Sequence, residues 1–555
     1  MPKFLAALLL LLTPLPAIAQ LPITNNRLQS PLILLDMVHN NPGEPPFQTR
    51  YNDPGVLKQM GYTGKVFFLF ESAQLAVNWE TVDPSILPAG SPDREWVDKK
   101  AAELDKKYAA AKAAGLQVYC ESDMVILPKR LVEKENLQDT FGDPANPTTV
   151  KYVNALLDQM FTRFPQLDGI VVRIGETYLQ DAPYHLGKIG IGKNGKTDAE
   201  KTIIPLMNLL REDVCVKHNK KLIFRTWLSF DRDLAKFQQI SNAVEPHENL
   251  LLAIKHCEQD FNLGNPPSKI LNAGRHRFIV EVECQREYEG KGAYPDYITH
   301  GVIDGFDEDA NVAAPHTLEQ IRKNPLFAGL WTWTRGGGWE GPYISNDLWC
   351  DLNARVLIHW ATHPGETEDD AFRVYCADIL HMDRENSDAL RQLCLLSPEA
   401  IIRGKRSTDT AAANTISPFW TRDDKISVPP LPKNHDAWKD FLAQKAESVK
   451  DWEMIVDISK TLHFKGEDVL KNAEYIIPSC QYGLHLYRIY QAAFNLAALT
   501  KDGDKSQIHT WLTQYDDAWA ALKQLKAEHP ECASLYKDVS YQNKPGIGAW
   551  IQQFR

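Results

Sequence analysis

The chemistry this chain offers first lies in polar side chains that break short apolar runs with strict alternation. Between Phe278 and Glu287, the residues Phe278, Val280 and Val282 share one side of an extended chain, while Glu281, Glu283, Gln285 and Glu287 share the other. Burying carboxylates unpaired is costly, so either cations neutralise them or they serve catalysis. Other runs end in the same manner. Arg173 and then Glu176 close the stretch that begins at Asp168; Ile223, Arg225 and Trp227 share a face; Lys255 is followed by Asp260 and Phe261; and Trp331 and Trp333 precede a Gly336-Gly-Gly338 run. Carboxylates at several such ends suit glycoside hydrolysis, in which one acid protonates the leaving oxygen and a second carboxylate serves as base or nucleophile. Arg173, Arg225 and Lys255 beside them suit a substrate that carries its own carboxylate, held by charge-assisted hydrogen bonds. Tryptophan faces suit the apolar faces of sugar rings.

The elements that must position these residues read as eight strands. The apolar runs are residues 32–38, 66–70, 116–120, 169–174, 222–228, 250–255, 278–284 and 327–332, with amphipathic stretches such as 94–114, 150–164 and 199–218 between them. This alternation predicts an α/β fold, a (β/α)8 TIM barrel over residues 20–345, whose active site lies at the C-terminal ends of the strands. An open doubly wound sheet is the structural alternative, but no GxGxxG follows the first strand. Beyond residue 345 the helical period dominates, and residues 346–555 are predicted to form a helical C-terminal domain. Residues 403–433, rich in Ser, Thr, Pro and charge, read as a long surface loop.

Composition limits the partners. The 555 residues are 44% hydrophobic and 24% charged with a net charge of −11, the balance of a soluble globular protein rather than a disordered or fibrous one. That acidity predicts no nucleic-acid partner. Lys3, an apolar run from Phe4 to Leu12, a Thr13-Pro14 break and Ala17-Ile-Ala19 form a secretory signal pattern over residues 1–19, predicting a periplasmic or secreted protein with no membrane attachment after its removal. Nine cysteines without a CxxC leave at least one free thiol and suit core positions. His39, His185, His256 and His359 are scattered through the sequence, so no metal and no other cofactor is predicted.

These residues resemble the α-glucuronidases of glycoside hydrolase family 67. Ile254-Lys255 followed by Asp260-Phe261 is similar to that family's sixth-strand pattern, and Arg286-Glu287-Tyr288-Glu289-Gly290 is similar to its Gln-Glu-Tyr-x-Gly. Glu176 takes the place of the family's general acid and Arg225 that of a uronate-contacting arginine. Asn353-Ala354 and Trp360 resemble the start of its helical C-terminal domain. The likeness spans roughly residues 165 to 380. It departs at Arg286, where the family has Gln, at Arg173, three residues before the acid, and in the missing N-terminal β-rich domain.

The resemblance implies an inverting hydrolase that releases a terminal α-linked uronic acid, glucuronate or its 4-O-methyl form, from an oligosaccharide. Glu176 would be the acid, with Asp260 and Glu287 together preparing the water. Arg173, Arg225, Lys255, Glu283, Trp227, Trp331 and Trp333 would contact the sugar. The C-terminal helices would cover the barrel mouth or form a homodimer, as they do in that family. A hydrolase of the same barrel type acting on another acidic or a neutral glycan, and a non-catalytic glycan-binding barrel, are the alternatives.

Overall fold

Each predicted apolar run becomes one strand of a closed parallel barrel. The structure is a computed structural model that describes residues 31–138, 143–174, 179, 182–187, 199–226, 231–413, 415–422, 424–465, 467–503, 505–532, 534–537 and 545–555. The barrel strands are β1 (Ile33–His39), β2 (Gly64–Phe67), β3 (Gln117–Asp123), β4 (Gly169–Arg173), β5 (Lys221–Arg225), β6 (Leu250–Lys255), β7 (Arg277–Glu283) and β8 (Phe327–Gly336). Each strand pairs with its sequence neighbours, and β8 closes on β1. Parity decides what faces where. Ile33, Leu35, Met37, Tyr119, Val171, Ile223, Leu251, Ala253, Ile279, Trp331 and Trp333 fill the barrel, whereas Leu34, Val118, Val172, Leu222, Phe278, Val280 and Val282 pack outward against the helices.

The outer shell includes α1 (Pro92–Ala113) and α2 (Pro147–Arg163), both with proline in the first turn, where its missing N–H costs nothing. Residues 199–217 are helical throughout, in agreement with the amphipathic stretch read there. After β8 come α3 (Leu348–Thr362), α4 (Arg384–Lys405), α5 (Trp438–Thr461), α6 (Glu467–Asp502) and α7 (Ile508–Glu528), with α4, α5 and α6 packed on one another. Residues 32–555 form one compact unit. No described helix is long and apolar enough to cross a membrane.

The expected surface loop over residues 403–433 is corrected. Arg403 to Lys405 complete α4, and Lys405, Arg406, Ser407, Trp420 and Ile426 are buried. The charges that suggested solvent instead satisfy buried carbonyls. Lys405 Nζ donates to Tyr288 O, and Arg406 donates to Leu263 O at 2.9 Å, Asn265 Oδ1 at 3.0 Å and Ala413 O at 3.1 Å. The helical region thus supports the loops that follow β6 and β7. All nine cysteines are free and buried.

Candidate active site

The polar ends of the inward-facing rows meet at the C-terminal mouth of the barrel. Register places Asp123 of β3 directly beside Arg173 of β4, and Arg173 Nε and Nη2 donate to Asp123 Oδ1 and Oδ2 at 3.0 and 3.2 Å. Arg225 of β5 makes a second fork. Its Nε and Nη2 donate to Glu281 Oε1 and Oε2 of β7 at 3.0 and 2.8 Å, and its Nη1 donates to Glu121 Oε1 of β3 at 2.7 Å. All five side chains are buried. Burial opposes the Arg225 charge, yet Glu281 and Glu121 outweigh it and hold the guanidinium charged. Glu281, on the alternating face of β7, is therefore neutralised by an arginine.

Glu283, two residues on, is treated differently. It has no solvent exposure, its Oε2 accepts the Glu287 N–H at 3.0 Å, and its Oε1 has no hydrogen-bond partner among the described residues. Burial, and then the Glu287 carboxylate, push its carboxyl well above the usual carboxylate range. Gly337 makes this contact possible, since a Cβ built there would lie 2.1 Å from Glu283 Oε1 and its φ is +85°. The glycines after β8 thus allow close approach to a protein carboxylate. A folded state that keeps a proton the unfolded chain releases loses stability as pH rises, from the ordinary value near 4.5 through the raised one. Glu283→Gln is expected to remove this loss. Thermal melts at pH 5 and pH 8 should show the variant gaining on the wild type at the higher pH, by about 1.4 kcal/mol for each pH unit between 5 and the raised pKa; a constant difference would refute the neutral carboxyl.

Lys255 ends β6 with its Nζ donating to Gln259 O at 2.9 Å and lying 3.8 Å from Asp260 Oδ1. Its ammonium also lies 4.9 Å from the Phe261 ring centroid and 5.9 Å from that of Trp333. The Tyr288 hydroxyl donates to Asp260 Oδ2 at 3.4 Å, tying the loops that carry Asp260 and Glu287. Tyr288 and Arg286 hold positive φ values of 62° and 57°, a strained course that the tie to Asp260 and the Lys405 bond help maintain. Arg286 turns toward Glu289, 3.3 Å away. Asp260 keeps 27% of its side chain exposed, while Glu287 is buried.

Trp331 and Trp333 lie inside the barrel beneath the mouth, packed by protein groups. The Arg225 guanidinium sits 5.1 Å from the Trp331 ring and 4.9 Å from the Trp333 ring, and His39 and Phe261 flank Trp333. Glu176 and Trp227 lie outside the described residues, Glu176 three positions past the end of β4.

The structure adds three mouth residues that the sequence reading did not place there, Glu121, Asp123 and His39. The apolar signal of β3 stops at Cys120, yet the strand runs to Asp123; continuing the Tyr119 parity would have exposed both acids. His39 continues the row Ile33, Leu35, Met37, packs against Phe68 with ring centroids 4.0 Å apart and leaves its Nδ1 unpartnered among the described residues. Burial, with Arg173 and Arg225 nearby, holds it neutral by lowering its pKa well below the usual imidazole range.

A closed parallel barrel with carboxylates at its C-terminal mouth and a helical region behind it is the class that fold and site define. Among solved structures, a GH138 enzyme targeting pectin rhamnogalacturonan II shares this fold at a TM-score of 0.56 and 11% identity, over 94% of this chain and 67% of that one. An O-GlcNAc hydrolase variant from Thermobaculum terrenum aligns over 94% of both chains at 9% identity and a TM-score of 0.41. No protein-family model matches the chain and no curated protein matches it, so the α-glucuronidase resemblance rests on its short motifs alone.

Proposed function

We propose that the protein is an exported glycoside hydrolase that releases a terminal α-linked uronic acid from an oligosaccharide with inversion. The observation that carries this reading is the convergence of Asp260, Glu283 and Glu287 beside Lys255 at the barrel mouth, on loops tied by Tyr288. In this reading Glu176, delivered just beyond β4, protonates the leaving oxygen. Asp260 and Glu287 orient and deprotonate the attacking water, and the partial exposure of Asp260 suits a residue that must meet solvent. Lys255 binds the uronate carboxylate. Inversion requires the acid to stand about 6.5–9.5 Å from the base, against about 5–5.5 Å for retention. The signal pattern at residues 1–19 supports export.

The sugar is tested with matched uronide and neutral oligosaccharides, followed by proton NMR of the released anomer. Uronides are expected to be preferred, with the β anomer appearing first. Lys255→Ala should lower kcat/KM for the uronide by about 10-fold or more while sparing the neutral analogue, as loss of a charge-assisted hydrogen bond predicts. An unchanged uronide preference in Lys255→Ala would remove this residue from recognition, and initial release of the α anomer would replace inversion by retention. A neutral glycan is the second reading. It is favoured by the engagement of Arg173 and Arg225 in forked ion pairs with Asp123, Glu121 and Glu281, which commits much of their donor capacity to the protein.

A further inference from the structure

Among the described residues, three groups of histidine and carboxylate side chains bring single ligand atoms within 4.8 Å of one another. Two already hold a protein cation. In one, Lys217 pairs with Asp158 and Asp213; in the other, Arg391 and the Tyr297 hydroxyl occupy Glu368. The third group is His359, His363 and Glu366, and among the described residues no lysine or arginine pairs with its carboxylate. We propose that this group is a binding site for a divalent transition-metal ion, zinc(II) by the type of its ligands.

His359 lies in the last turn of α3 and His363 caps that helix, four residues on, so both rings stand on one side of the helix end. They stack with centroids 3.9 Å apart and planes within 11°. A turn through Gly365, closed by the Glu366 N–H donating to His363 O at 3.1 Å, returns the chain and sets Glu366 Oε2 2.7 Å from His359 Nε2. The ring tautomers favour coordination. His363 Nδ1 lies 2.9 Å from the His359 carbonyl oxygen, which can only accept, so the N–H sits on Nδ1 and the lone pair on Nε2. His359 now donates from Nε2 to Glu366. Metal binding leaves the ring N–H on Nδ1 and gives the ion both Nε2 and the carboxylate. Two neutral imidazoles and one carboxylate, with water completing a tetrahedron, form a familiar zinc ligand set. The site also lies at the negative end of the α3 dipole, which favours a cation.

The site is remote from the mouth. A Cβ built at Gly61, just ahead of β2, would lie 3.9 Å from Thr362 Cγ2, which puts the end of α3 at the N-terminal rim of the barrel. A bound ion would pin the last barrel helix to the turn that leads into the next helix, Glu368–Val374.

The test is a calorimetric titration of tag-free protein with zinc chloride, comparing wild type with His363→Gln and Glu366→Gln. One zinc per chain is expected for the wild type, with affinity at least about tenfold weaker in each variant. Melting in chelator should be nearly equal for all three, because His363 is exposed and Glu366 only half-buried, while the zinc-induced rise in Tm should be confined to the wild type. Absence of wild-type binding, or equal binding in the variants, would overturn the proposal. Cobalt(II) gives an independent readout. Its spectrum should show nitrogen and oxygen ligation; a thiolate charge-transfer band would place the metal on a cysteine and overturn the assignment.

Discussion

Glu176→Ala should lower hydrolysis of natural glycosides by about 10²–10⁴-fold, the usual worth of a positioned proton donor, while substrate binding remains. Aryl glycosides with good leaving groups should lose much less, because a leaving group that departs as a stable anion needs little protonation. The measurement is kcat/KM across aryl glycosides of graded leaving-group pKa. A steeper dependence in the variant than in the wild type marks the loss of an acid; parallel lines would assign Glu176 a different role. Glu176 follows by three residues the end of β4 at Arg173, which is fixed by the fork to Asp123. Glu287→Ala should behave oppositely, falling by a similar factor on good and poor leaving groups alike, since in a single displacement the base-assisted water attacks in the same step whichever group departs.

Arg225→Met is expected to destabilise the fold by about 3–5 kcal/mol, the cost of stripping a buried ion network of one member. Arg225 is the cation that Glu121 and Glu281 share, and its removal leaves two buried carboxylates without their ion-pair partner. Glu121→Gln and Glu281→Gln in the same background should restore much of the loss, because neutral amides tolerate burial better than charges. The size of that rescue, obtained from denaturant midpoints and slopes, measures the coupling. A loss below about 1 kcal/mol would mean that the two acids take up protons on burial without the arginine.

Strand number and order were readable because each barrel strand lies on a short apolar run, such as Ile170-Val-Val172 in β4 and Leu222-Ile-Phe224 in β5. The faces of β7 were readable too, since Glu281 and Glu283 alternate cleanly with Val280 and Val282. Hydropathy fails at the upper layer of the barrel, where polar residues replace apolar ones without ending the strand. Asp123 and His39 lie in that layer. The pairing of charges was also hidden: Arg225 meets Glu121 across 104 positions in the sequence, and no local pattern records that distance. The buried segment around Lys405 and Arg406 misleads for a related reason, because cations that satisfy buried carbonyls look in sequence like cations that face water.

That segment also sets an order of assembly. The carbonyls of Leu263 and Tyr288 belong to the loops that carry Asp260 and Glu287, but the groups that bind them, Arg406 and Lys405, lie 143 and 117 positions later in the chain. The barrel strands precede these cations in the chain, so the two loops take up their final hydrogen bonds only once residues 405 and 406 are in place. The loops at the barrel mouth are therefore completed last, by a segment that lies outside the barrel itself.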